Sequence, residues 1–445
     1  MSGPSGGTPH DGTFTVALMP WGDLIEDFLD EIGLTLDEFA SEMTGGWLFG
    51  YVAALQRQGI KTVILSVSGR VTSTLRTVHQ ATGAEMVFVP APTTYRRLRT
   101  RMKDPYGTSL HAMFGSTSAL SRPFWRLTHH LAPYLATPTI ALAREIRRSG
   151  CGAILCQEYE SPRFDASVLI GALLRIPVFA TFQGGTWHRS GIERRVRRHT
   201  LRRTAGVIVA SSEEAVRIRA AYGLPEAKIA RIFNPIDLSV WEPAAGVDGR
   251  RDLEVAETTR VAIWHGRVDI RRKGLDVLLE AWRRICAERP REDLLLVLVG
   301  SGVDANTLGR DIERTHVPKL RWIRDYVLDK MRIRQYLSAA NVYVLPSRHE
   351  GFPVAPLEAM ACGLPVVAAS APGVADIFAD GDSSGGIVVP IGDPTALCRA
   401  VGKLLDDRPF ARRVGESARK RVESAFGLDV VGSQLARLLR GDVNA

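Results

Sequence analysis

The sequence predicts an α/β protein made of two doubly wound parallel sheets that face each other across a cleft. Three observations carry this reading. Short apolar runs alternate with helical stretches, the alternation stops once at a polar, glycine-rich segment and then resumes, and 445 residues suffice for two or three domains. The runs at 14–19, 61–67, 84–89, 153–156, 177–182 and 206–210 are too short for helices and too apolar for surface strands, so they read as buried strands of a first sheet. Those at 261–264, 294–299, 341–347, 365–368 and 386–389 form a second set. Residues 1–12 are expected to be a disordered lead-in, 13–236 a first domain and 237–259 a linker, marked by Pro243 and Gly249-Arg250-Arg251-Asp252. Residues 260–425 make the second domain and 426–445 a terminal helix.

Composition narrows the class. With 45% hydrophobic and 24% charged residues the chain reads as an ordinary globular protein. It lacks the roughly 18 consecutive apolar residues of a membrane span and an apolar signal core near its start, so a cytoplasmic location is expected. Five cysteines, odd in number and without Cys-x-x-Cys spacing, argue against a disulfide framework and against zinc. The net charge of +9 is concentrated in the first half. Residues 95–103, with Arg96, Arg97, Arg99, Arg101 and Lys103, carry +5, and residues 189–203, with seven arginines against Glu193, carry +6. Neither stretch interleaves stacking aromatics, which disfavours nucleic acid. An anionic acceptor, an anionic membrane met at its inner face and a solvated arginine-rich helix face all stay open.

The most informative stretch runs from Glu350 to Glu358. It joins the apolar run 341–347 to a helix whose first turn suits Pro356 and whose end suits Gly363. A loop and a helix N-terminus therefore hold two carboxylates beside unpaired backbone N–H groups. The N–H groups suit phosphate, whereas ionised carboxylates only accept and suit sugar hydroxyls. The segment fits a sugar attached to a phosphate.

From Glu350 through Val367 the chain resembles the retaining glycosyltransferases of family 4: a glutamate, seven residues, a second glutamate, then a small-residue helix and Gly-x-Pro-Val-Val. The resemblance covers about 261–405 closely and the first domain loosely. It implies the GT-B fold of two Rossmann-like domains, with the terminal helix crossing back onto the first. It also implies that Glu350 touches the donor sugar, that Glu358 accepts from the nucleotide ribose, and that Gly351, Phe352, Pro353 and Val354 line the donor between them.

Gly266-Arg267 and Lys273-Gly274 reproduce a second family pattern and bring two cations to the mouth of the cleft, where a departing diphosphate gains negative charge. Glu350, Arg267 and Lys273 are thus the catalytic candidates. Gly266, and Gly300 after the run 294–299, are candidates for close approach of backbone to the donor, as are Gly45 and Gly46 before a helical stretch. Gln183 stands where relatives usually carry histidine; it bonds either way but carries no proton at pH 7, which leaves positioning of the donor sugar. Glu158 is a candidate for orienting the acceptor, with Glu160 as an alternative. Asp380-Gly381-Asp382 is a turn rather than a metal site, no histidine pair has zinc spacing, and neither a metal nor a cofactor beyond the nucleotide sugar is expected.

The resulting expectation is a retaining hexosyltransferase that moves a sugar from a nucleotide diphosphate sugar to a hydroxyl of a glycan, a lipid or a small molecule. A phosphorylase or nucleotide-sugar epimerase on the same fold, or a non-catalytic sugar-nucleotide or membrane-surface binding protein, are the alternatives.

Overall fold

A computed structural model of the protein describes residues 13–44, 46–107, 109–118, 120–184 and 191–441. Two sheets organise it. The first contains β1 (Thr15–Met19), β2 (Lys61–Ser68), β3 (Leu75–Val78), β4 (Glu85–Pro90), β5 (Ala153–Cys156), β6 (Val178–Thr181), β7 (Gly206–Val209) and β8 (Ile229–Arg231), in the order β3-β4-β2-β1-β5-β6-β7-β8. All its pairings are parallel except β3 with β4. The second contains β9 (Arg260–His265), β10 (Leu294–Val299), β11 (Leu320–Ile323), β12 (Val342–Leu345), β13 (Val366–Ala369) and β14 (Gly386–Val389), all parallel, in the order β11-β10-β9-β12-β13-β14.

Strand periodicity explains why both faces of each sheet are covered. Along β1, Ala17 and Met19 enter one apolar cluster while Val16 and Leu18 enter the opposite one; along β9, Val261 and Ile263 separate in the same way from Ala262 and Trp264. Helices on each face complete four cores, and all five cysteines are buried without a disulfide. Strands β3, β8 and β11 were not expected from the sequence. They lie at sheet edges, are three or four residues long and are only partly covered, so they lack the apolar run by which a central strand is read.

Segment 237–259 is more than a polar tether. It forms the helix Val247–Asp252 and buries Trp241 and Leu253 in a core of the second lobe, because Gly249 lets that helix lie directly on the backbone at Gln335. The terminal helix Leu428–Arg440 packs on Gly46–Arg57 of the first lobe, with Gly432 against the Ala54 carbonyl and Arg440 donating to the Gln58 carbonyl at 3.1 Å. The chain crosses between lobes at two adjacent places, where Ile236 bridges Gly427 in parallel and its N–H donates to the Phe426 carbonyl at 2.8 Å. A further latch is Asp376, which accepts from the Ser212 N–H at 2.9 Å and from Arg231 at 2.5 Å. Among the described residues no helix is long and apolar enough to cross a membrane.

Candidate functional site

In each sheet the strand order reverses beside the first strand, between β1 and β5 and between β9 and β12. Open α/β sheets bind ligands in the crevice at such carboxyl ends, and here the two crevices face each other.

The second lobe supplies most of the charge. β9 ends at His265, and the chain runs through Gly266 and Arg267 into the short helix Ile270–Lys273, whose first turn is capped when Asp269 accepts from the Arg272 N–H at 2.9 Å. Gly274 then turns with φ +65°, and a Cβ there would stand 2.0 Å from the Pro346 carbonyl oxygen. Only glycine permits this approach, which presses the Lys273 turn onto the exit of β12. Lys273 Nζ consequently donates to both carboxylate oxygens of buried Glu350, at 2.7 and 2.9 Å.

Beyond Glu350, Gly351 lies on the backbone of Gln183 and Gly184 in the first lobe, and buried Pro353 and half-buried Val354 lead into the helix Ala355–Ala361. No side chain caps that helix, so the Ala355 and Leu357 N–H groups of its first turn stay available, Pro356 having none. In its first turn Glu358 accepts from or pairs with His265 Nε2 at 2.7 Å, joining the end of β9 to the helix. Tyr343 donates its hydroxyl to the His265 carbonyl at 3.2 Å, and burial beside Glu358 pushes that phenol well above its usual pKa. Lys330 lies in the same electrostatic neighbourhood, where burial lowers its pKa and Glu358 and Asp237 partly offset the shift.

The other candidate residues make contacts within the fold. Arg267 and Lys273 do not share a partner: Arg267 reaches across the cleft to Glu31 of the first lobe, whereas Lys273 holds Glu350. The Phe352 ring stacks on Phe233 at 5.1 Å and lies 5.9 Å from Phe426, so its side chain anchors the interlobe packing, and its carbonyl accepts from Asn234 at 3.2 Å. Gly300 is required by strand-end packing, since a Cβ there would meet the Gly266 carbonyl oxygen at 2.0 Å. Glu160 turns into the core, accepting from Tyr222 at 2.6 Å and pairing with Arg217 at 2.9 Å. Gly46 opens the helix Gly46–Arg57, with no link to the Lys273–Glu350 pair among the described contacts. Gly45 and Arg189 lie outside the described residues.

The first lobe presents an amide pair beside Glu158. Gln183 and Asn234 form a reciprocal pair at 2.7 and 3.0 Å, and the Gln183 N–H donates to Glu158 at 2.7 Å. Glu158 is buried and adopts the left-handed region at φ 60°, a conformation costly for a non-glycine residue and held here by that bond. Arg272 closes the contact by donating to the Gly184 carbonyl at 3.2 Å. Sequence reading missed Asn234, His265, Arg272 and Glu31 as site residues. Asn234-Pro235 is a turn signal and Arg272 adjoins Lys273, but nothing local marks the partners they meet.

Two facing doubly wound lobes define the GT-B class, and a solved sucrose-phosphate synthase from Thermosynechococcus elongatus matches over 96% of this chain and 98% of its own, with a TM-score of 0.68. At 20% identity that likeness concerns the fold alone. The family model for Glycosyltransferase Family 4 matches residues 122–240 and that for Glycosyl transferases group 1 matches 259–407. The chain belongs to the family 4 glycosyltransferases. It is 32% identical over 236 residues to D-inositol 3-phosphate glycosyltransferase of Streptosporangium roseum, a match covering 51% of this chain and 53% of that one. It is 31% identical over 223 residues to alpha-maltose-1-phosphate synthase of Mycobacterium tuberculosis, covering 47% and 56% respectively. The chain spans about half the length of the curated relatives it matches.

Proposed function

We propose that the protein transfers a sugar from a nucleotide diphosphate sugar to an acceptor hydroxyl with retention of configuration. The observation that carries this reading is the placement of Lys273–Glu350 and His265–Glu358 at one switch-point crevice, beside an uncapped helix start. In this reading Glu358 accepts from the ribose, Glu350 from the donor sugar, and Lys273 and Arg267 stabilise the diphosphate as the bond to the anomeric carbon breaks. These fixed cations supply the positive charge, so no metal or further cofactor is invoked. The acceptor proton passes to the leaving phosphate oxygen, and Gln183, paired with Asn234, carries no proton at pH 7 and takes no part in that transfer. The names of the two relatives refer to a phosphorylated inositol and a phosphorylated sugar, which supports an anionic acceptor.

The test mixes the protein with a panel of nucleotide sugars. The correct donor at about 100 times its dissociation constant should raise stability by about 2.7 kcal/mol, and adding acceptor should release the nucleoside diphosphate. Donor binding without release would leave a binding protein, and release that depends on inorganic phosphate would indicate a phosphorylase.

Glu358→Ala should weaken nucleotide affinity about 10- to 100-fold, the loss of charge-assisted hydrogen bonds of roughly 1.5–3 kcal/mol. The same change removes the partner of His265, whose Nδ1 is already buried without one. Unchanged affinity in calorimetry would remove Glu358 from the nucleotide site.

A further inference from the structure

The helix Arg122–Leu135 directs its large apolar side chains outward. Phe124, Leu127, Leu131 and Leu135 are between 44% and 62% exposed, whereas His129, Ala132 and Pro133 are buried. Their spacing of three, four and four residues places them on one face, the reverse of a helix that packs its stripe into a core. The helix Pro162–Leu174 packs beside it and exposes Leu169 and Leu173; the next, Gly191–Arg203, exposes Ile192. Single exposed apolar residues are normal, but a set continued across three packed helices marks an interaction surface.

Charge identifies the occupant. Between residues 105 and 212 the five carboxylates, Glu145, Glu158, Glu160, Asp165 and Glu193, are all buried. On the three helices and the segments that join them Arg126, Arg147, Arg148, Arg175, Arg194 and Arg198 are exposed, so the described residues of this stretch present arginine without exposed carboxylate, the nearest exposed carboxylates being Asp104 and Glu213 at its two ends. Not every arginine contributes. Arg197 is buried, paired with Asp165 at 2.7 Å and donating to the Ser161 carbonyl at 2.7 Å. Arg99 is likewise held by Asp27.

We infer that this face docks on an anionic lipid bilayer, its leucines seated at the boundary between headgroups and acyl chains and its arginines on lipid phosphates. A second copy docked through the same patch would set arginine against arginine. The docking does not rest on the transferase reading.

The test is co-sedimentation of the full chain, without donor, with phosphatidylcholine vesicles with and without phosphatidylglycerol. Binding should require phosphatidylglycerol and fall as salt rises. L127S/L131S, which changes only exposed side chains, should melt as the parent does and bind about tenfold more weakly or worse. R194Q/R198Q should also bind about tenfold more weakly. Binding indifferent to phosphatidylglycerol, or wild-type binding by L127S/L131S, overturns the proposal. So does a wild-type dimer in sedimentation equilibrium that L127S/L131S splits, which would make the face a protein interface. Transfer to a water-soluble acceptor, followed in parallel, should be unchanged in L127S/L131S; its absence from the parent would count against the transferase reading and leave the vesicle result standing.

Discussion

Replacing Lys273 with methionine is expected to lower turnover about 100- to 1,000-fold, the scale set by removing one fixed group that stabilises developing charge. It should also destabilise the fold by about 3–5 kcal/mol, because Glu350 is buried and Lys273 is its ion-pair partner at 2.7 Å. The two effects separate in a double-mutant cycle. Adding Glu350→Gln to Lys273→Met removes the unpaired buried charge and should recover much of the stability in urea denaturation, while turnover stays low. Turnover should fall by more than the donor's Michaelis constant rises, since the interaction strengthens in the transition state. Arg267→Ala should share that kinetic pattern with little cost in stability, as its pair with Glu31 is partly exposed. A Lys273→Met variant with parental turnover would end the catalytic assignment.

Gly351→Ala is expected to lower turnover about a hundredfold while leaving each lobe folded. A Cβ at this position would stand 2.3 Å from the Gln183 carbonyl carbon and 2.4 Å from both the Gln183 oxygen and the Gly184 nitrogen. Every one of those atoms is backbone, so no side chain can turn aside and the lobes must part. A displacement on the order of 1 Å between reacting groups costs about 10²-fold in rate. A melting profile near that of the parent, with a larger radius of gyration in solution scattering, would accompany the loss. Parental turnover would show that the contact between Gly351 and Gln183 is not needed in the reacting form.

The fold was largely legible because buried parallel strands carry their own signal: near-continuous apolar runs separated by helical spacing. β3, β8 and β11 escaped because an edge strand is set by its neighbour's free N–H and C=O groups, which leave little trace in side chains. The candidate site was legible where its residues are close in sequence, as with Glu350 and Glu358, or follow a second local pattern, as with Arg267 and Lys273. It was not legible where pairing is long-range. Nothing near Glu31 announces Arg267, and nothing near Asn234 announces Gln183. Arg197 shows the same limit in reverse, since its place in an arginine-rich helix reads as surface while Asp165 draws it inside.

The paired crossings at Ile236 and Gly427 have a mechanical consequence. Strands that leave one body for another at separate points restrain rotation; two that leave side by side define a single axis, like two pins of one hinge. A swing about the line through Ile236 and Gly427 would disturb these crossings least, whereas a sliding displacement would shear the Ile236 N–H from the Phe426 carbonyl. Any such swing would displace atoms in proportion to their distance from that line.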